Sequence, residues 1–190
     1  MISIPFLSGE LAFAGIWLLL RIAVWLQRKK IDGKRELLLL LMAVNLAVIL
    51  RMTFFPMATV DGRVQPLLLD PEAVFPLRIN WIPLVNLLDY DSLRDLLSNV
   101  IGNLCLFIPT GILLPILYPR LDRFAKVVGV GTLISLGIEL LQLPFSVRVS
   151  DVDDLLLNTL GVAVGCGIST GIREIIKNTP VRPGEKEEKP

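Results

Sequence analysis

Five long apolar segments, separated by shorter polar stretches, dominate the pattern of hydrophobic positions along this chain. A transmembrane helix needs about 20 mostly apolar residues, and each segment meets or approaches that length. The pattern therefore predicts an all-α, polytopic membrane protein in which residues 1–178 form a bundle of five transmembrane helices. The predicted helices cover about residues 10–26, 37–55, 93–118, 125–143 and 152–172.

Composition supports a membrane protein and removes several function classes. The chain of 190 residues is 53% hydrophobic and has a mean hydropathy of +0.66, which is high for a soluble domain. Its net charge of +1 gives no electrostatic footprint for nucleic acid. Because the chain has no histidine, imidazole bases and the common zinc sites are excluded. Residues 179–190 are rich in Pro, Glu and Lys and are predicted to form a polar cytoplasmic tail.

The basic residues of the loops predict the orientation in the membrane. Lys and Arg favour the cytoplasmic side, and they concentrate after the first and third segments and in the tail. We therefore expect a multi-pass protein of the plasma membrane with its N-terminus outside and its C-terminus in the cytoplasm. The long outer loop of residues 56–92 has no assigned role, although its apolar stretches at 66–69 and 81–84 suit the bilayer surface or a cover for the bundle.

Polar residues interrupt the apolar segments at spacings that place them on shared helix faces. In the fifth segment Asp151, Asp154 and Asn158 share one face, and in the fourth segment Glu139 and Gln142 share another. These side chains are predicted to meet in one polar pocket open to the outside. The set is completed by Asn99 and Asn103 in the third segment, Arg51 near the end of the second, and Arg148 in the connection between the fourth and fifth.

The cost of burying a carboxylate makes two of these residues candidates for catalysis. A carboxylate inside an apolar helix costs about 2.5–3.5 kcal/mol on insertion scales, so it is rare unless it is paired or functional. Glu139 and Asp154 are therefore candidates for acid–base catalysis, and the other members of the set are candidates for ligand binding. Asp151 and Asp154 are also candidate ligands for a divalent cation, because oxygen ligands suit hard cations. No other cofactor is predicted.

A structural interpretation of the same residues stays open. Glu139 would be held by Arg148 or Arg51, and Asn158 by Asn103, through interhelical hydrogen bonds. The aspartates would then be a solvated acidic start of the fifth helix, where negative charge is favoured. Small residues of the fifth helix would pack closely against matching glycines of the fourth. These glycines are Gly161 and Gly165 on the fifth helix and Gly129, Gly131 and Gly137 on the fourth.

The ordered set of these residues resembles the VanZ-like family of bacterial membrane proteins, which is named for a protein associated with resistance to the glycopeptide teicoplanin. The resemblance covers about residues 51–165. Its most specific part is the spacing Arg-x-x-Asp-x-x-Asp-x-x-x-Asn-x-x-Gly, which begins at Arg148 and ends at Gly161. The other pieces are RMTFFP at 51–56, NWIP at 80–83, Asn99 with Asn103, FIPTG at 107–111, and Ser135 with Ile138, Glu139 and Gln142.

Three function classes follow from these observations. The first is a binding protein whose pocket holds an envelope lipid, a cell-wall precursor or a glycopeptide, and which confers glycopeptide resistance as the resemblance implies. The second is a membrane-embedded enzyme that acts on a lipid-linked substrate. The third is a transporter that uses Glu139 as a proton relay. It has the least support, because the chain has five predicted spans and no inverted repeat. The sequence contains no nucleophile elbow, P-loop or zinc signature.

Overall fold

The computed structural model describes residues 1–28, 30–55, 59–75, 78–84, 90, 92–146 and 148–178, so the predicted tail at 179–190 lies outside the described residues. Five helices are long and apolar enough to cross a membrane, which confirms the predicted all-α bundle of five spanning helices. They are α1 (Phe6–Gln27), α2 (Gly33–Phe54), α3 (Leu93–Leu117), α4 (Phe124–Gln142) and α5 (Val152–Asn178).

Three helices extend beyond the apolar segments that predicted them. α1 begins at Phe6 rather than near residue 10, and α5 continues to Asn178 rather than ending near residue 172. α2 begins at Gly33, because the side chain of Asp32 accepts hydrogen bonds from the backbone N–H groups of Lys34 and Arg35 and so caps the helix. Hydropathy detects only the apolar part of a helix, whereas its backbone hydrogen bonds continue into more polar turns.

The helices alternate in direction. One end of the bundle, which we call the loop end, therefore contains the first residues of α1, α3 and α5 and the last residues of α2 and α4. Short paired strands join the loops there. They were not predicted, because a hydropathy window as long as a helix cannot detect strands of two or three residues. β1 (Ile2–Ile4) pairs antiparallel with β4 (Leu67–Leu69), β2 (Thr59–Val60) pairs antiparallel with β3 (Arg63–Val64), and β5 (Ile79–Asn80) pairs parallel with β6 (Ser150–Asp151). A 3₁₀ turn covers Pro71–Val74.

α3 packs most extensively against α5, and glycines make that close approach possible. A Cβ atom on Gly161 would overlap the carbonyl oxygen of Leu104, and one on Gly165 would overlap that of Ile108. The predicted close packing of these glycines therefore exists, but the predicted partner helix was wrong. On α4 a Cβ at Gly131 would meet the side chain of Val162, whereas Gly129 and Gly137 face open space because they lie on other sides of that helix.

The core lies between α2, α3, α4 and α5, while α1 lies against α2 and buries none of its residues. Arg21 of α1 and Glu36 of α2 form a two-pronged ion pair, with Nε 3.0 Å from Oε2 and Nη2 bonded to Oε1. An arginine fork matches a carboxylate in this way and fixes the orientation of both groups. The fully buried side chains of the core include Ile49, Phe107, Leu117, Val127 and Val162.

Candidate ligand-binding site

Glu139 lies near the end of α4 and holds the connection that leads into α5. Its side chain is 4% exposed. Its Oε2 atom accepts hydrogen bonds from the Ser150 hydroxyl at 3.1 Å and from the backbone N–H of Asp151 at 2.9 Å. The carboxylate thus points into the protein. Both donors belong to the connection itself, whereas the structural interpretation had predicted Arg148 or Arg51.

The first turn of α5 is fixed by acidic side chains that also hold a loop. Asp151 Oδ1 accepts from the backbone N–H of Asp153 at 2.9 Å and from Asn80 Nδ2 at 3.3 Å. Asp153, which is 3% exposed, accepts through Oδ1 from the backbone N–H of Leu84 at 2.7 Å. Leu84 has φ of 69°, a left-handed conformation that is unusual for leucine. These bonds hold the segment 79–84 over the start of α5.

Two further polar contacts connect the first two turns of α5 to α3 and α4. Asp154 Oδ1 accepts from Asn103 Nδ2 on α3 at 2.6 Å. Asn158, which is 1% exposed, donates through Nδ2 to the hydroxyl of Ser135 on α4 at 2.9 Å. Asn158 is therefore bonded to α4, while Asn103 is bonded to Asp154 one turn closer to the loop end. The structural interpretation had paired the two asparagines with each other.

Arg148 brings a half-buried positive charge to the loop end. Its Nε donates to the carbonyl oxygen of Phe54 at 2.8 Å, which joins the α4–α5 connection to the end of α2. Burial lowers the pKa of Arg148, the like charge of Arg51 lowers it further, and Asp154 partly opposes both. Arg51 in turn lies with its guanidinium carbon 5.1 Å from the centre of the Phe6 ring, so α1 contacts this charge by a cation–π interaction.

The two remaining predicted residues lie at the edges of this cluster. Gln142 is 5% exposed and donates to the carbonyl oxygen of Thr53 at 2.8 Å, which fastens α4 to α2. Asn99 lies one turn closer to the loop end than Asn103 on α3, where it lines a groove between α2 and α3. All nine predicted site residues therefore lie at the loop end, but Gln142 and Asn99 serve different contacts from the carboxylate cluster.

A largely apolar groove of about 750 Å³ runs between α2 and α3. Its polar lining near the loop end comes from Ser98, Asn99 and Asn103. Asn103 also donates to Asp154, so one residue of the groove lining contacts the carboxylate cluster. Deeper in the groove, Asn45 accepts from the Thr110 hydroxyl at 2.7 Å and donates to the carbonyl oxygen of Leu106 at 2.9 Å. The groove thus has a polar end and an apolar body.

Three buried polar atoms at the loop end have no hydrogen-bond partner among the described residues. They are Arg148 Nη2, Asp153 Oδ2 and Asn158 Oδ1. An unsatisfied buried polar atom costs about 1–3 kcal/mol, and more where the group is charged. Such atoms call for an explanation, and the recognised ones are strain, a catalytic role, or a bound ion or water.

Sequence reasoning missed three polar residues of this region. Asp153 lies next to Asp154 but off the helix face that the three- and four-residue spacing selected. Ser150 is a common residue in a turn, and only the folded connection brings it to Glu139. Asn45 could have been found, because it is a lone amide in an otherwise apolar run of α2.

No group of three or more His, Cys, Asp or Glu residues within the described ranges is arranged to hold a metal ion. The two predicted cation ligands have separate partners, since Asp151 accepts from Asn80 and Asp154 accepts from Asn103. A divalent cation at these residues stays a prediction.

The five spanning helices and the polar cluster at one end of them define a polytopic α-helical membrane protein. A family model described as VanZ/LLP1 matches residues 38–174. The chain therefore belongs to the VanZ-like family, as the sequence resemblance predicted. The matched segment runs from α2 to α5, so α1 lies outside it. Comparison with curated proteins and with solved structures gave no match.

Proposed function

We propose that the protein binds an envelope lipid or lipid-linked precursor by its anionic head group at the loop end. The observation that carries the proposal is Arg148. Its Nη2 is buried without a partner in the described part of the chain, and its guanidinium interacts with the like charge of Arg51. Two like charges repel each other, and a phosphate or carboxylate between them would offset that repulsion and accept paired N–H bonds.

We extend the proposal to the ligands that the family suggests. A cell-wall precursor carries the same anionic groups as a phospholipid, and a glycopeptide such as teicoplanin is the ligand that the name-giving family member implies. Binding either of them would link the pocket to glycopeptide resistance. The support for this extension is the membership of residues 38–174 in the VanZ-like family.

The proposal includes an orientation in the plasma membrane. Loop charges favour an outer N-terminus and a cytoplasmic C-terminus, which would turn the loop end and its pocket outward. Reporter fusions at Lys34 and Val64 test this: we expect cytoplasmic signal at Lys34 and external signal at Val64. External signal at Lys34 would reverse the orientation and exclude an outward pocket.

Replacing Arg148 with glutamine tests the anion site. We expect the variant to bind phosphatidylglycerol at least about tenfold more weakly than the wild type, because one charge-assisted hydrogen bond contributes about 1.5–3 kcal/mol. Diacylglycerol, which lacks the phosphate, should bind the two proteins equally. Native mass spectrometry of the full chain in detergent, with each lipid titrated in, gives both affinities.

Arg94→Gln is the matched control for that experiment. Arg94 lies in the first turn of α3 at the same end of the bundle and is exposed, so the variant removes the same charge outside the cluster. Arg148→Lys separates charge from geometry, since lysine keeps the charge but lacks the fork. Equal phosphatidylglycerol binding by wild type, Arg148→Gln and Arg94→Gln, each with an unchanged unfolding temperature, would contradict the proposal.

A membrane-embedded enzyme acting on a lipid-linked substrate is the second candidate. It is supported by the closeness of three carboxylates, since Asp151 and Asp154 lie near enough to Glu139 to interact with it electrostatically. In this function Glu139 and Asp154 would exchange protons with the substrate. The Glu139→Gln variant described in the Discussion also tests this candidate.

A further inference from the structure

The unpartnered atoms at the loop end include both a donor and acceptors, which limits the chemistry of any ligand that satisfies them. Arg148 Nη2 is a cationic donor, and Asp153 Oδ2 is a carboxylate acceptor. Asp153 is 3% exposed, and its other oxygen is already bonded to the backbone N–H of Leu84. A purely anionic head group would satisfy the arginine and would be repelled by the aspartate. A ligand that satisfies both atoms carries an acceptor for the arginine and a donor for the aspartate, and electrostatics favour a negative acceptor and a positive donor.

The cluster also places groups of opposite charge close together. Asp154 lies next to Asp153 in the first turn of α5 and interacts electrostatically with both Asp153 and Arg148. The arginine and the unpartnered aspartate are therefore separated by one shared neighbour. A head group in which a short linker joins a phosphodiester to an amine carries both of these opposite charges in one small unit.

We propose, on the basis of the function proposed above, that the ligand is a zwitterionic phospholipid whose head group carries a phosphate and a primary ammonium. The phosphate binds Arg148 with Arg51, and the ammonium donates to Asp153 Oδ2. A primary ammonium has three N–H donors, whereas a quaternary ammonium has none, so the site selects the primary amine.

The α2–α3 groove would bind a hydrocarbon chain of that lipid. It is apolar along most of its length, and its polar lining at Asn99 and Asn103 lies toward the carboxylate cluster. Its volume of about 750 Å³ lies in the range of pockets that hold small-molecule ligands. A lipid entering from the bilayer would place its chain along this groove and its head group at the loop end.

The test compares lipids that differ only in the ammonium group. The purified full chain in detergent is titrated with phosphatidylethanolamine, its N-acetylated derivative and phosphatidylcholine, and binding is read by native mass spectrometry. We expect phosphatidylethanolamine to bind at least about tenfold more tightly than the other two, the factor expected from one charge-assisted hydrogen bond. Because the protein is unchanged, this arm does not depend on any variant folding.

The variant Asp153→Asn supplies the second arm, with Asp122→Asn as its control. Asp122 is an exposed aspartate in the α3–α4 connection at the other end of the bundle, where it pairs with Lys126. We expect Asp153→Asn to bind phosphatidylethanolamine and its N-acetylated derivative equally, and Asp122→Asn to keep the wild-type preference. O-phosphoethanolamine, which has the head group without chains, should compete at least about a hundredfold less well than the lipid, since it buries no chain in the groove.

The outcomes separate this inference from the function on which it rests. Equal binding of phosphatidylethanolamine and its N-acetylated derivative by the wild type would overturn the zwitterion proposal, even if Arg148→Gln weakens both. Equal competition by O-phosphoethanolamine would assign the head group to a soluble molecule and overturn the lipid. Binding of both lipids by Arg148→Gln as tightly as by the wild type would overturn the anion site itself.

Discussion

The variant Gly165→Ala is expected to lose about 3 kcal/mol of its free energy of unfolding. The added Cβ would overlap the carbonyl oxygen of Ile108 and would lie 3.0 Å from the Cα atom of Gly111, so backbone on α3 has to move. Overpacking typically costs about 1–3 kcal/mol, and a clash with backbone belongs at the upper end because no side chain can rotate away. The unfolding transition of the purified protein in one detergent measures the loss.

Gly167→Ala is the matched control, because it makes the same chemical change on the same helix two positions further along. A Cβ at Gly167 meets nothing within 4 Å. Alanine also favours the helix over glycine by about 1 kcal/mol, so this control should be neutral or slightly stabilised. If the two alanine variants unfold alike, the close contact between α3 and α5 does not determine the stability of the bundle.

These glycines show which part of the fold sequence alone can predict. The helix count followed from hydropathy, because a span must satisfy its backbone inside the bilayer and must be apolar over a fixed length. The small residues of α5 also identified a close-packing face. The partner helix could not be predicted, since α3 and α4 both offer glycines and only the folded bundle places Gly111 against Gly165.

For the polar cluster too, the sequence predicted the residues but not their contacts. Helical spacing and burial costs selected Glu139, Asp154 and Asn158, and each is bonded inside the protein at the loop end. Their individual partners were not predictable. The partners of Glu139 are set by a tight connection, and those of Asp153 by a loop from elsewhere in the chain, so periodicity along one helix contains no information about either.

Replacing Glu139 is expected to have the second large effect on stability, and two variants of this residue test its role. Glu139→Leu removes the acceptor of two hydrogen bonds and leaves the Ser150 hydroxyl and the Asp151 N–H unsatisfied beside an apolar side chain. Each unsatisfied buried donor costs about 1–3 kcal/mol, so we expect a loss of about 2–6 kcal/mol in the free energy of unfolding. Thermal unfolding in detergent measures this loss against the wild type.

Glu139→Gln is the partner variant, because glutamine keeps a carbonyl acceptor of nearly the same shape but has no charge and no titratable proton. If Glu139 only holds the α4–α5 connection, glutamine should keep most of the stability and all of the lipid binding. If Glu139 is an acid–base catalyst, purified protein given envelope lipids should release a product that the glutamine variant loses at full stability. Equal stability of the leucine variant and the wild type would contradict the structural role. Equal product from Glu139→Gln and wild type would exclude the catalytic role, because an amide cannot exchange the proton that such a step requires.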